Sequence, residues 1–215
     1  SASRYKLKKA IMELGPSGFP FENFIGHIFR NDGYSVDVGI VMPGNCIPHE
    51  VDVLACKDDR CYIVECKYHN KQGRPNDVKI PLYIHSRYND VKRPLESDTS
   101  NTFSEFQGWI FTNTRFTSDA IEYAECAGLQ LVSWDYPETK SLKYRINKSK
   151  LFPITVLTSL TKREKQQFLE EGIVLCKEIY EAPALLQKND FSKMRINKIQ
   201  EGIKDLCENG IDIVN

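Results

Sequence analysis

His49 to Lys67 reads HEVDVLACKDDRCYIVECK, and the fold turns on this stretch. Val51 to Cys56 and Cys61 to Cys66 are short apolar runs with the composition of strands. Lys57-Asp58-Asp59-Arg60 between them has the character of a hairpin loop. Each run carries one carboxylate, Asp52 in the first and Glu65 in the second. With a four-residue loop, Asp52 stands opposite Glu65 with their Cβ atoms about 5 Å apart. Lys67 lies two residues beyond Glu65 and projects from the same face. An unpaired buried charge is costly. Two facing carboxylates also raise at least one pKa unless a cation stands between them. The expectation is a divalent-metal site with a lysine beside it. The plain alternative is a surface hairpin with a cross-strand salt bridge, and the apolar residues around the charges speak against it.

Outward from the hairpin, the pattern predicts an α/β chain. Ser3 to Leu14 and Pro20 to Asn31 read as helices, separated by Gly15-Pro16-Ser17-Gly18. Tyr34 to Met42 alternates and reads as the first strand. Asn76 to Val91 reads as a helix, with Pro81 tolerated in its first turn. Gln107 to Thr112 and Leu129 to Trp134 read as strands around a helix over Thr117 to Ala127, capped by Thr117 or Ser118 and ended by Gly128. A mixed central sheet with helices on both faces follows.

These residues resemble a known family. Asp52 followed by Glu65-Cys66-Lys67 is similar to the PD-(D/E)xK nuclease signature, with Glu50-Val51-Asp52 in place of the Pro-Asp form. Phe21-Glu22-Asn23-Phe24, Asp32-Gly33-Tyr34-Ser35-Val36 and the segment Gly108 to Asp135 (GWIFTNTRFTSDAIEYAECAGLQLVSWD) resemble the Mrr-like restriction endonuclease branch, over residues 5–136. The resemblance implies a restriction-endonuclease-like fold and a Mg²⁺-dependent endodeoxyribonuclease of restriction or repair type, with Mn²⁺ as a substitute metal. It implies Asp52, Glu65 and the backbone carbonyl of Cys66 as metal ligands, with Lys67 beside the metal. Glu22 is implied as an additional ligand, directly or through water; a helix N-terminal acid favoured by the macrodipole is the plain alternative. DNA is the implied partner. The start, YKLKKAIMELGPSGFPFE, is similar to forms in which a nucleotide-binding ATP-cone module precedes the nuclease, so such a module is expected upstream in the full-length protein. A Holliday-junction resolvase shares the chemistry and would need a homodimer. A nuclease-fold DNA-binding or nucleotide-regulated partner module without cleavage is the reading from another class.

Formal net charge is zero, so no global field advertises a nucleic-acid binder. Residues 1–136 carry 15 Lys+Arg against 18 Asp+Glu, and residues 137–215 carry 14 against 11. Phosphate contacts must come from local clusters. No run of 18 apolar residues suggests a membrane span, and no secretory signal is visible. Seven cysteines without a CxxC pair read as reduced, packed thiols in a cytoplasmic protein. A zinc set of Cys46, His49, Cys66 and His69 has no usual spacing.

Softer substrate-binding candidates surround the hairpin. Lys79, Tyr83 and Arg87 recur every four residues on one helix face, with His85 and Asp90 nearby. His49 and His69 flank the two strands, and Gln72 follows. Thr112, Asn113 and Thr114 end a strand where short polar side chains suit phosphate. Trp109 and Trp134 read as core. A boundary is expected near Pro137, with residues 137–150 as a polar linker. Residues 151–215 read as a small all-α domain resembling helix-hairpin-helix or sterile-alpha-motif-like repeats. Leu169, Ile173, Leu175, Ile179, Leu185 and Leu186 would form its own core. Its Lys162, Arg163, Lys165, Lys193, Arg195 and Lys198 would face phosphates.

Overall fold

The computed structural model describes residues 7–189 and 191–209. Its centre is a five-stranded mixed sheet. The strands are β1 (Ser35–Met42), β2 (His49–Lys57), β3 (Arg60–Lys67), β5 (Glu105–Thr112) and β7 (Gln130–Val132), in spatial order β1-β2-β3-β5-β7. The first three are antiparallel, and β3, β5 and β7 run parallel. β4 (Pro75–Asn76) and β6 (Arg115–Phe116) form a separate parallel pair that the sequence pattern does not announce.

Helices cover both faces, as the alternation of elements requires. α1 (Leu7–Met12) and α2 (Phe19–Asn31) share one cluster with Val53, Ala55, Val64, Phe111 and Val132. In α2 the buried residues Phe21, Phe24, Ile25, Ile28 and Phe29 recur at helical spacing, so one stripe faces the sheet. α3 (Lys79–Ser97) and α4 (Ser118–Cys126) cover the other face, where Ile84, Tyr88, Val91, Ala120 and Ala124 meet Ile63, Ile110 and Leu131. β3 lies between the two layers, which is why its apolar run is continuous rather than alternating. α4 begins as expected, with the Thr117 hydroxyl accepting from the Ala120 amide. α3 begins later than expected, at Lys79, because Asn76 is held in β4.

The expected hairpin register holds. Val53 pairs with Val64 and Lys57 with Arg60, although the turn itself is only Asp58-Asp59. One expectation about cysteine fails here: Cys56 and Cys61 face each other across the hairpin, Cα atoms 4.2 Å apart, and form a disulfide.

The boundary expected at Pro137 is not a break in the core. Residues 137–150, read as a linker, contain α5 (Leu142–Ser149), whose Leu142 and Ile146 are fully buried and pack in the α1–α2 cluster. α6 (Lys162–Glu170), α7 (Cys176–Glu181), α8 (Ala184–Lys188) and α9 (Lys193–Asn209) follow. Leu169, Ile173, Leu175, Ile179 and Leu186 join the same cluster as Ile11 and Phe24 rather than a core of their own. Polar contacts stitch the same boundary: Thr155 donates to the Ala10 carbonyl at 2.6 Å, and Asn23 donates to that of Gly172 at 2.8 Å. The polar composition of 137–150 hid this, because two apolar residues on an eight-residue helix suffice to seat it. Of the C-terminal cations, Arg195 is taken up by a two-pronged bond to Glu164 at 2.7 and 2.9 Å, which ties α9 to α6.

Candidate active site

The site lies where the sheet divides. β2 stays paired with β1 as far as His49↔Met42, and β3 stays paired with β5 as far as Lys67↔Thr112. Between β2 and β3, however, pairing stops at Val53↔Val64. One position further, the Asp52 carboxylate takes the place of the missing ladder and accepts the Cys66 amide at 2.7 Å. Asp52, Glu50, Glu65 and Lys67 therefore line a fork. Glu22, in the first turn of α2, stands close enough to feel the charges of Asp52, Glu50, Glu65 and Lys67.

The electrostatics follow from that crowding. Burial, then the charge of Glu65, pushes the Asp52 carboxyl up to about 6, against the pull of the Cys66 amide, Lys67 and Arg87. Burial, then Asp52, Glu50 and Glu65, pushes Glu22 up to about 7. Burial also holds the Cys66 thiol well above its ordinary value, so its side chain is an inert core group. Glu65 is 9% exposed and is held from two sides. Lys67 Nζ meets one of its oxygens at 2.7 Å, and Arg87 Nη1 meets the other at 3.0 Å.

Arg87 also spans the fork. Its second terminal nitrogen donates to the Glu50 carbonyl on β2, while the first holds Glu65 on β3. One guanidinium thus supplies cross-links that the interrupted ladder lacks, in the planar two-donor geometry that lysine cannot offer. Arg87→Ala is expected to cost about 1–3 kcal/mol, since it frees the Glu50 carbonyl and leaves the buried Glu65 carboxylate with Lys67 alone. Arg60→Ala, which breaks an exposed pair with Glu105, should leave stability nearly unchanged. Urea titration of the two variants checks the contrast; equal losses would remove the clamp.

The remaining candidates are distributed unevenly. Tyr83 is exposed beneath the Arg87 guanidinium, 5.5 Å from its ring centroid, and Lys79 and Gln72 are exposed further out. The His49 ring is engaged at 2.8 Å by Asp90, which also accepts the amides of Cys46 and Ile47. Asp90 is held down to about 2, chiefly by that histidine contact. Gly44 is required there, because a Cβ would lie 2.3 Å from an Asp90 oxygen. His85 is turned away to the Tyr123 hydroxyl at 2.8 Å.

Thr112 and Thr114 do not face a substrate. They are 0% and 5% exposed and belong to an internal network. Asn76 donates to both hydroxyls, Thr112 donates to the Lys67 carbonyl at 2.8 Å, and the His69 ring meets the Asn76 carbonyl oxygen at 2.9 Å. Asn113 exchanges two bonds with the His69 backbone at 2.9 and 2.8 Å, so its amide side chain prolongs the β3–β5 ladder. The network fixes the backbone just beyond Lys67. Sequence reasoning passes over Asn76 because its role depends on a contact 36 residues away in the chain.

Among the described residues, no three His, Cys, Asp or Glu side chains are gathered to hold an ion by themselves. The zinc set is therefore not assembled. Mg²⁺ asks for less, because it keeps several waters and takes one or two carboxylates. Asp52, Glu65, the Cys66 carbonyl and Glu22 offer the hard oxygen donors that suit it.

The raised carboxyls give a pH dependence with a definite sign. Below pH ~4, near the unfolded values, Asp52 and Glu22 are protonated in both states and cost nothing. Between about pH 4, where the unfolded carboxyls ionise, and about 6 and 7, where Asp52 and Glu22 do so in the crowded fork, stability is lost. The metal-free chain should melt at a lower temperature at pH 8 than at pH 5 on their account. Asp52→Asn should remove on the order of 1 kcal/mol of that loss, after allowance for partial exposure. Thermal melts of both proteins across this range are the check, and an Asp52→Asn melt that falls as steeply as that of the parent would contradict it.

Comparison with known proteins gives three matches. The model of the "AF1548-like, C-terminal" family matches residues 152–207. An uncharacterized protein of Archaeoglobus fulgidus is 31% identical over 158 residues, covering 74% of this chain and 84% of the relative. A solved structure described as "Crystal Structure of Protein of Unknown Function AF1548" superposes with a TM-score of 0.72 at 27% identity, covering 90% of this chain and all of that one. Similarity of this extent, across the sheet and the C-terminal helices alike, makes the chain a member of the AF1548-like family.

Proposed function

We propose that this protein is a Mg²⁺-dependent endodeoxyribonuclease of the PD-(D/E)xK type, hydrolysing DNA phosphodiester bonds. The observation that carries the reading is the fork, where Asp52 on β2 and Glu65 and Lys67 on β3 stand at the point where the strands part and Glu22 of α2 feels their charge. A mixed sheet flanked by helices, with the acids on its central hairpin, suits the restriction-endonuclease-like arrangement. Asp52, Glu65 and the Cys66 carbonyl would hold the metal, with Glu22 joining through water. Bound Mg²⁺, or Mn²⁺ in its place, supplies Lewis-acid polarisation of a phosphate oxygen and acidifies a water.

The chain's own groups do the rest. Asp52 is oriented by the Cys66 amide, and Glu65 by Arg87. Lys67, now bonded to Glu65, carries its positive charge beside the site and can hold a developing negative charge on the phosphate through Nζ. The Thr112–Asn76–His69 network keeps the Lys67 backbone from shifting. Incubating plasmid, methylated and branched DNA with Mg²⁺, with and without ATP, tests the reading. Nicking or cutting that disappears on chelation is the expected result.

One observation favours a second reading, a nuclease-fold binding module. Glu65 is already neutralised by Lys67 and Arg87, so a cation must compete for it. Tight DNA binding with no cleavage under Mg²⁺ or Mn²⁺ would establish that alternative.

A further inference from the structure

The opposite face of the sheet carries donors that lack acceptors. Glu65 pairs with Ile110, whose side chain packs on the α3 side. Trp109 and Phe111, its neighbours on β5, point the other way, toward α2 and α5. Arg145 of α5 lies over both rings, 5.5 Å from the Trp109 centroid and 5.8 Å from that of Phe111. Its Nε donates to the Lys140 carbonyl at 2.9 Å. Among the described residues its two terminal nitrogens have no acceptor and no ion pair. The Trp109 indole N–H just beneath it is the single buried side-chain polar atom without a partner among those residues.

A cavity of about 370 Å³ opens at this guanidinium, between α2 and α5. Arg145, Lys140 and Lys148 bring three cations to its wall, against one carboxylate, Asp32. Burial depresses the Arg145 pKa, so the guanidinium is poorly solvated where it stands. Tyr144, 44% exposed, presents its ring at the rim with the Lys148 ammonium 6.0 Å from the centroid.

We propose that this cavity binds a phosphate group, carried either by a mononucleotide or by a nucleic-acid backbone. A planar guanidinium with both terminal nitrogens free suits phosphate oxygens. Lys140 and Lys148 add point charges, and the Tyr144 ring offers a stacking face for a base. The volume is at the lower end of small-ligand pockets, so it suits a phosphate and an attached sugar. The cavity shares no residue with the fork and does not depend on the nuclease reading.

Calorimetric titration of the intact chain with inorganic phosphate and with AMP, against sodium chloride at matched ionic strength, is the test. Both should bind. Lys140→Ala with Lys148→Ala, two exposed side chains, should weaken both by about 10-fold or more without lowering the melting temperature. Arg145→Gln should weaken them further and Arg145→Lys recover part. If the source is a nucleotide, Tyr144→Ala weakens AMP but spares inorganic phosphate. If the source is a nucleic-acid backbone, the double variant weakens binding of a short DNA duplex. It also flattens the slope of log affinity against log salt by about one for each phosphate no longer neutralised. The proposal is overturned if neither phosphate nor AMP binds above the chloride control while duplex binding is unchanged in the variants. It is equally overturned if the double variant and Arg145→Gln bind all three probes as the parent does.

Discussion

Glu65→Gln and Asp52→Asn should each lower Mg²⁺-dependent DNA cleavage by at least about 10²–10³-fold while leaving the fold intact. The amide in Glu65→Gln keeps an oxygen for Arg87 or Lys67, so the fork stays bridged. The amide in Asp52→Asn keeps an oxygen for the Cys66 N–H. What each variant loses is negative charge, the property a divalent cation needs. Asp52→Asn carries a second signature, because the same change relieves repulsion: it should be inactive yet melt higher than the parent at pH 8. A contaminating nuclease would cut equally in every variant preparation. Single-turnover cleavage assays beside thermal melts separate the outcomes, and undiminished cutting by either variant would sink the assignment of the fork as the active site.

Truncation after Lys150 should abolish cooperative folding. The sequence pattern favours the opposite, a free-standing nuclease domain. The shared core decides the matter. Removing residues 151–215 uncovers Ile11, Leu14 and Phe24, which are fully buried, and takes away Phe152, Ile154, Val174 and Ile179, which pack in the same cluster. Each such side chain is worth about 1.5–3 kcal/mol when buried, against a total stability of about 5–15 kcal/mol for a domain. Uncovering even five or six of them exhausts that margin. The truncated chain should give no sigmoidal melt by circular dichroism. A cooperative transition close to that of the full chain would mean that the two parts hold separate cores after all. The family match to residues 152–207 marks a recurring segment, and such a segment need not fold alone.

The local elements were legible because each rests on short-range physics. The register of the central hairpin followed from two apolar runs and a polar turn, and Val53↔Val64 bears it out. The helix over α2 and the Thr117 cap were equally plain. The misses have a common cause. β4 and β6 are two residues each and exist only because they find each other. α5 is polar by composition, and its place is set by two buried residues, Leu142 and Ile146. The disulfide required knowing that Cys56 and Cys61 pair across the turn, which the register implied and the expectation of reduced thiols overrode.

Sequence alone was enough to put two carboxylates and a lysine on adjacent strands of a buried hairpin, since apolar alternation and turn chemistry act over a few residues. How those groups are held was settled at the tertiary level. The parting of β2 from β3 at Asp52, the bridging of that gap by Arg87, the approach of Glu22 from α2 and the merging of residues 151–209 into one core all depend on groups far apart in the chain. Their energies come from desolvation and packing, which have no value until the chain has folded and the distances are set.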